Sequence, residues 1–429
     1  VDSKHQNWAG NVTFAAAEVA RPTSVAELQD LVAHRRHVRA LGSGHSFNRI
    51  ADTDGTLISL DRIPGGIEVD SASRRAWVPA GATYARICPD LHAGGWALAN
   101  LASVPHVTVA GACATGTHGS GRSNPGLAAA VSAVELVRPG GELETVTAAD
   151  VDFSGSVVAL GALGIALRVQ LDVEPAYDVA QEVLLDVPLA AVLEHMETVL
   201  AAGDSVSLFT DWATPATIGQ VWVKRRVPLG QPTADTASLC ELVGGSPARS
   251  AVHPVPGADP TATTDQLGVP GAWYERLPHF RADAVPSAGA ELQSEWLVPA
   301  RAGAEAVERL AAIAPTLAPL VLVSEVRTVA SDKLWLSPAW QRDSVALHFT
   351  WRPDGEAVAR ALPVVEETLA PFDPRPHWGK LAALDSDALQ RAYPRLRDFA
   401  DLADRVDPER VLSNAFVDRC LGRRGGPDN

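Results

Sequence analysis

In Leu41 to Phe47, LGSGHSF, a histidine stands inside a glycine and serine loop directly after an apolar run. Glycines let successive backbone amides turn toward an anion with no Cβ in the way, the arrangement of a phosphate-binding nest. Gly42 and Gly44 supply that freedom, and His45 adds a nucleophilic ring nitrogen beside whatever the nest holds. A surface turn with a solvated histidine has the same local sequence, because turns favour Gly and Ser for backbone reasons alone.

Three further places carry groups able to act together. In VLVSEVRTV, Val321 to Val329, a period of two puts Glu325 and Arg327 on one face with Val321 and Val323. In VALHFTW, Val345 to Trp351, the same period puts His348 and Thr350 on one face and Val345, Leu347, Phe349 and Trp351 on the other, which is to be buried. If both strands lie in one sheet, four hydrogen-bonding side chains converge, as a site for a hydroxyl-rich small molecule requires. The alternative is a half-exposed sheet whose polar face meets water, with Glu325 and Arg327 as an ordinary surface ion pair. The third place is PHWGK, Pro376 to Lys380: the chain has only four lysines, Lys4, Lys224, Lys333 and Lys380, so one beside His377, Trp378 and Gly379 reads as a placed group, with a solvated lysine as the alternative.

Elements that position these groups can be read around them. Ser24 caps a helix over Val25 to Arg36, and His37 to Leu41 forms a strand entering the glycine loop. Strands follow at Leu57 to Leu60 and Arg75 to Val78, then a helix from Tyr84 to His92 closed by Gly94 and Gly95. A second glycine-rich block, VTVAGACATGTHGSG from Val107 to Gly121, precedes a hairpin from Val134 to Val146 with its turn at Pro139 to Gly141. A strictly alternating strand runs from Ile165 to Val173. Beyond about Tyr177, strands alternate with amphipathic helices, one of them Ala-rich over Arg301 to Ile313. The Pro-, Gly- and Thr-rich stretch Ser246 to Pro270 reads as a surface excursion, and Gly422 to Asn429 as a frayed tail.

Length and composition bound the remaining choices. With 429 residues the chain is too long for one ordinary core, and 46% hydrophobic with 20% charged residues is the make-up of a folded protein. A formal net charge of −15 repels nucleic acid and anionic membranes, and the short basic runs Arg35 to Arg36 and Lys224 to Arg226 read as a solvated face or a strand end. Cys88, Cys113, Cys240 and Cys420 have neither paired nor metal-ligand spacing, so neither disulfides nor a metal site are expected and a reducing, cytoplasmic location fits. No apolar run is long enough to span a membrane, and no signal peptide is visible.

LGSGHSF, NLASVPHVTVAGACATGTHGSG (Asn100 to Gly121), SEVRT, HFTW and HWGK, in that order, resemble the alditol oxidases, within the flavoproteins similar to vanillyl-alcohol oxidase and the sugar-lactone oxidases. The resemblance runs from NWAGN at Asn7 to the NAF segment at Asn414 to Phe416. It implies an α+β flavoprotein: an FAD-binding domain of two α+β subdomains over residues 1–177, a substrate domain with a large antiparallel sheet flanked by helices over 178–371, and a C-terminal segment, 372–429, returning to the FAD domain. It makes His45 the covalent attachment point of FAD. Arg39 is shared just upstream of the loop. Ala40, Leu41, Gly42, Ser43, Gly44, His45, Ser46, Ser103, Thr108, Gly111, Ala112, Cys113, Ala114 and His377 become cofactor contacts, Ile165 a backbone contact on the adenine side, and Ala102 the residue that admits dioxygen. Ser103, Glu325, Arg327, Thr350 and Lys380 match the positions that hold the polyol, and His348 matches a further active-site histidine. Arg327, Lys380 and His348 are the implied catalytic groups. The implied partners are a small polyol and dioxygen, with no nucleic acid and no membrane, for a monomer. A sugar-1,4-lactone oxidase or dehydrogenase of the same group, and a noncatalytic carbohydrate-binding relative, are the competing readings.

Overall fold

The computed structural model describes residues 5–214, 216–227, 236–285 and 290–423. The last six residues of the expected tail, 424–429, lie outside them.

The N-terminal part begins with a three-stranded parallel sheet in the order Glu18–Ala20, Thr56–Ile58, Val38–Ala40. The helix Val25–His34 packs on it as its sequence dictates: the Ser24 hydroxyl accepts from the Glu27 amide at 3.2 Å, and Leu28 and Val32, one turn apart, are buried. The strand Val38–Ala40 delivers the chain directly into the Leu41 to Phe47 loop, in which Gly44 takes φ +70.

A five-stranded antiparallel sheet follows, ordered Glu68–Asp70, Arg75–Pro79, Ile165–Asp172, Val131–Val137, Leu143–Thr147. The expected hairpin turn is present, with Gly141 at φ +87 donating to Arg138 O at 2.8 Å. Its core is shared with the helix Tyr84–Ala93 and with residues that arrive from the far end of the chain, among them Leu389, Leu396, Phe399, Leu402 and Val417. Arg39 ties these parts together. Fully enclosed, it donates to the carbonyls of Leu160 at 2.6 Å, Gly161 at 3.0 Å and Leu412 at 2.7 Å, and also to that of Ile50.

The large sheet is antiparallel, with the order Ser246–Pro247, Asp178–Pro188, Thr217–Val227, Ser205–Thr210, Val321–Val329, Ser344–Trp351, Leu292–Pro299, Arg375–Pro376, and Gly271–Ala272 pairing with Asp178–Pro188. One face is covered by helices that include Leu189–Glu194, Gly303–Ala312 and Gly355–Leu369, and buries Val326, Val345, Leu347, Phe349 and Trp351. The other face carries the polar residues. Val321 departs from the expected period: a bulge between Val321 and Val323 inserts a residue, so Val321 joins the helix-side core while Val323 stays with Glu325 and Arg327.

The 246–270 stretch is not a free surface excursion. Gln266 exchanges hydrogen bonds with both backbone groups of Val252 at 2.8 and 3.0 Å, closing the loop on itself. So tied, the stretch lies as a strap over the polar face of the sheet, where His253, Thr263, Thr264 and Gln266 are buried.

Candidate active site

A continuous cavity of about 550 Å³ runs from the glycine loop to the polar face of the large sheet. Twenty of the residues expected at the cofactor and substrate positions line it: Ala40 to Ser46, Ala102, Ser103, Thr108, Gly111 to Ala114, Glu325, Arg327, His348, Thr350, His377 and Lys380. Ile165 does not. Its side chain is fully buried beside Leu28, Val38 and Val137, and its neighbours Gly164 and Ala166 reach the cavity instead. The strap contributes Pro254 and Val255, and the following segment His279 and Phe280.

At the loop end the two glycine-rich segments meet with no room for side chains. A Cβ on Gly42 would stand 2.4 Å from Thr108 Oγ1, and one on Gly111 2.7 Å from the same atom. His45 stacks on Trp8 at 4.8 Å between ring centroids, and neither of its buried ring nitrogens makes a hydrogen bond. Burial, and then the charge of His106, push its imidazolium down to about 4, so the ring is neutral and its nitrogen lone pair is free near neutrality. A cradle of glycine backbone ending in an unspent imidazole fits a flavin dinucleotide.

At the sheet end, register and period act together. Glu325 pairs across to His348, and His348 to Glu295 on its other side, so three titratable side chains form one row on the cavity face. The neighbouring row holds Arg327 beside Ser207. Arg327 Nη1 donates to Ser103 Oγ at 2.9 Å and lies 3.3 Å from Glu325 Oε2, while Nη2 donates to Glu295 Oε1 at 3.0 Å. Its Nε is buried with no partner. Lys380 Nζ donates to Glu295 Oε2 at 2.6 Å and lies 3.2 Å from His348 Nδ1, and His348 Nε2 is 3.4 Å from Thr350 Oγ1.

These groups are buried, which decides their charges. Burial alone would raise the Glu325 carboxyl, but Arg327 and then His279 hold it well below the usual range. Glu295 is likewise held low against its burial, by Lys380, His118 and Arg327. His348 is pushed down to about 3 by burial and then by Lys380. Lys380 is lowered by burial against the pull of Glu295. Glu325 and Arg327 are therefore no surface ion pair: their side chains are 6% and 5% exposed.

Several members of the site carry no expectation from sequence. Glu295 belongs to Leu292–Pro299, where the alternation of Gln293 and Glu295 is the same signal that marks the two neighbouring strands. His279 donates from Nε2 to Glu325 Oε1 at 2.9 Å, and Ser207 Oγ donates to the same oxygen at 2.7 Å. Lys224 lies near the end of the strand Thr217–Val227, as one of its two expectations had it, but on no solvated face: it is fully buried. It donates to the carbonyls of Leu277 at 2.6 Å and Pro278 at 2.9 Å and to His279 Nδ1 at 3.1 Å, which fixes the tautomer that lets His279 donate to Glu325. Its period-two position on Thr217–Val227 and the scarcity of lysine were the available signals.

Known proteins match along the whole length. A family model described as FAD binding domain covers residues 16–147, and one described as D-arabinono-1,4-lactone oxidase covers residues 290–420. Over 414 residues, 96% of this chain and 97% of the relative, the sequence is 48% identical to alditol oxidase of Streptomyces sp. (strain IKD472 / FERM P-14339). The chain belongs to the alditol oxidase family. It is an FAD-dependent oxidoreductase of two-domain α+β architecture. More distant relatives are L-gulono-1,4-lactone dehydrogenase of Mycobacterium tuberculosis, 30% identical over 97% of this chain and 98% of the relative, and L-gulonolactone oxidase of Mus musculus, 26% identical over the same shares. The cavity of this chain has its two ends in the two matched regions, the glycine loop in the first and Glu295, Arg327, His348 and Lys380 in the second. Among the described residues no helix is long and apolar enough to cross a membrane.

Proposed function

We propose that this protein oxidises a primary hydroxyl of alditols such as xylitol and sorbitol to the aldose, with dioxygen reduced to hydrogen peroxide. The observation that carries the reading is the buried row of alternating acids, bases and hydroxyls on one sheet face, opposite the His45 loop in one cavity. Several adjacent hydroxyls need several adjacent donors and acceptors, and Glu325, Arg327, Thr350, Lys380 and Ser103 provide both kinds.

FAD would be held by the Ala40 to Ser46 loop, Ser103, Thr108, Gly111 to Ala114, His377 and the backbone near Ile165, with His45 as its tether, and would supply there the hydride acceptor and the route of the electrons to dioxygen. The chain's own residues do the rest. Arg327 and Lys380 hold the reacting hydroxyl and stabilise its oxygen as negative charge develops, an effect enlarged by the dry surroundings. Glu325 and Thr350 fix the neighbouring hydroxyls. His348 receives the hydroxyl proton, directly or through water, with its ring placed between Thr350 Oγ1 at 3.4 Å and Lys380, whose ammonium donates to Glu295 at 2.6 Å. Burial and then the charge of Lys380 push the His348 imidazolium down to about 3, so a proton taken there passes on to solvent near neutrality. Ala102, buried beside Ser103 on the cavity wall, leaves space for dioxygen. The division into 1–177, 178–371 and 372–429 accompanies this assignment, the last part bringing His377 and Lys380 back to the flavin. We place the enzyme in the cytoplasm, as a monomer.

The D-arabinono-1,4-lactone oxidase model over residues 290–420 favours a second reading, oxidation of a sugar lactone on the same sheet face. Peroxide release from xylitol and sorbitol, set against L-gulono-1,4-lactone, separates the two. Turnover of the alditols with none of the lactone is expected, and the reverse pattern overturns the assignment.

A further inference from the structure

Arg327 and Lys380 project into one pocket, and a guanidinium beside an ammonium is the usual receptor for a carboxylate. The receptor is filled by the chain itself. Glu295, fully enclosed, turns Oε1 to Arg327 at 3.0 Å and Oε2 to Lys380 at 2.6 Å, one oxygen for each cation. We propose that Glu295 is the charge-selecting residue of this site, an internal carboxylate that satisfies both cations and restricts the pocket to uncharged polyols.

The charges facing the pocket support this. Arg327 and Lys380 meet two carboxylates, Glu295 and Glu325, so the pair of cations is balanced before any ligand enters. Glu291, farther along the same wall and held by Gln293, adds a third carboxylate. His118 Nε2 lies 3.5 Å from Glu295 Oε1, His348 faces Lys380, His279 faces Glu325, and His377 lies on the Lys380 segment. An aldonate entering here would bring its charge against buried carboxylates and find the cations already engaged. An alditol or a lactone meets neither penalty, because it exchanges hydrogen bonds without adding charge. Nor is Glu295 explained by stability, since a buried ion pair contributes little net stability after desolvation.

This inference rests on the alditol reading, and the test separates the two. Binding of sorbitol and of gluconate to the FAD-loaded protein is measured anaerobically by calorimetry, with L-gulono-1,4-lactone and L-gulonate as a parallel neutral and anionic pair. The parent protein is expected to bind sorbitol and to reject gluconate. In Glu295→Gln, gluconate binding tightens by about tenfold or more while sorbitol does not gain, as a freed charge-assisted contact would produce. Glu295→Asp, which keeps the charge, is expected to retain the parent's rejection. A folded, flavin-loaded Glu295→Gln protein that binds gluconate no better than the parent overturns the proposal. Should that variant fail to fold, gluconate bound by the parent as tightly as sorbitol overturns it equally. If the lactone binds and sorbitol does not, the substrate assignment falls while L-gulono-1,4-lactone against L-gulonate still tests the charge selection.

Discussion

Replacing Arg327 by lysine keeps the charge and removes the fork, so it isolates what the planar guanidinium contributes. Nη1 serves Ser103 at 2.9 Å and Glu325 at 3.3 Å, Nη2 serves Glu295 at 3.0 Å, and Nε–H remains unspent. One ammonium nitrogen on a shorter stem cannot occupy those positions together. The attraction to Glu295 and Glu325 largely survives, so folding suffers little. What is lost is the placed donor toward the reacting oxygen, for which removal costs about 3–4 kcal/mol in comparable sites. Arg327→Lys is therefore expected to lower kcat/KM for xylitol by roughly 10²–10³-fold, mostly in kcat, with Tm changed by only about 2–4 °C. The assay is peroxide release under steady state, with flavin content and thermal melting measured on the same preparation. Arg327→Ala, which strands two buried carboxylates, is expected to lose a further 3–5 kcal/mol or so in stability. A flavin-loaded Arg327→Lys protein with kcat/KM within about fivefold of the parent, or with the whole loss in KM, would refute the reasoning.

Intact-protein mass spectrometry of the parent is expected to exceed the chain mass by one FAD, and His45→Ala to return it to the chain mass; an adduct surviving in the variant places the link elsewhere. Lys224→Met strands the carbonyls of Leu277 and Pro278 and releases the tautomer of His279, and should destabilise the protein by roughly 2–4 kcal/mol in denaturant titration. A change below about 0.5 kcal/mol would mean the ammonium is not needed there. Stability should also fall in acid, in two windows. His279 and His348 are lowered to about 4 and about 3, so the unfolded chain takes up their protons first and stability declines as pH falls below 6.5. Glu295 and Glu325 are also lowered, so their contribution, present above the ordinary carboxylate range, is lost as pH falls through their folded values. Tm is expected to drop by roughly 5–10 °C between pH 7 and pH 5; a flat profile down to pH 5 contradicts the burial of neutral histidines.

Period and turn chemistry make much of this protein legible in its sequence. Ser24 and the 3.6-residue spacing of Leu28 and Val32 define the first helix, and alternation in Val345 to Trp351 separates the helix-side core from His348 and Thr350 on the cavity face, because those signals are local. The same signal is present in Gln293 and Glu295, where it stands out only once Leu292–Pro299 is seen beside the other two strands. Val321 shows its limit: a bulge depends on how two strands meet, which one strand's sequence does not contain. Lys224 and His279 show another, since only the closing of the strap and the segment after it buries them against Glu325.

The sequence by itself determined which residues can do chemistry and, through its ordered motifs, the family that combines them. Tertiary structure alone decided what each is worth. Ser103, Glu295, Arg327 and Lys380 come from four distant stretches and become one charge-balanced cluster only when the large sheet and the returning C-terminal segment close on the glycine loop. Charge, protonation and donor direction depend on burial and on partners across space, and those are properties of the folded chain.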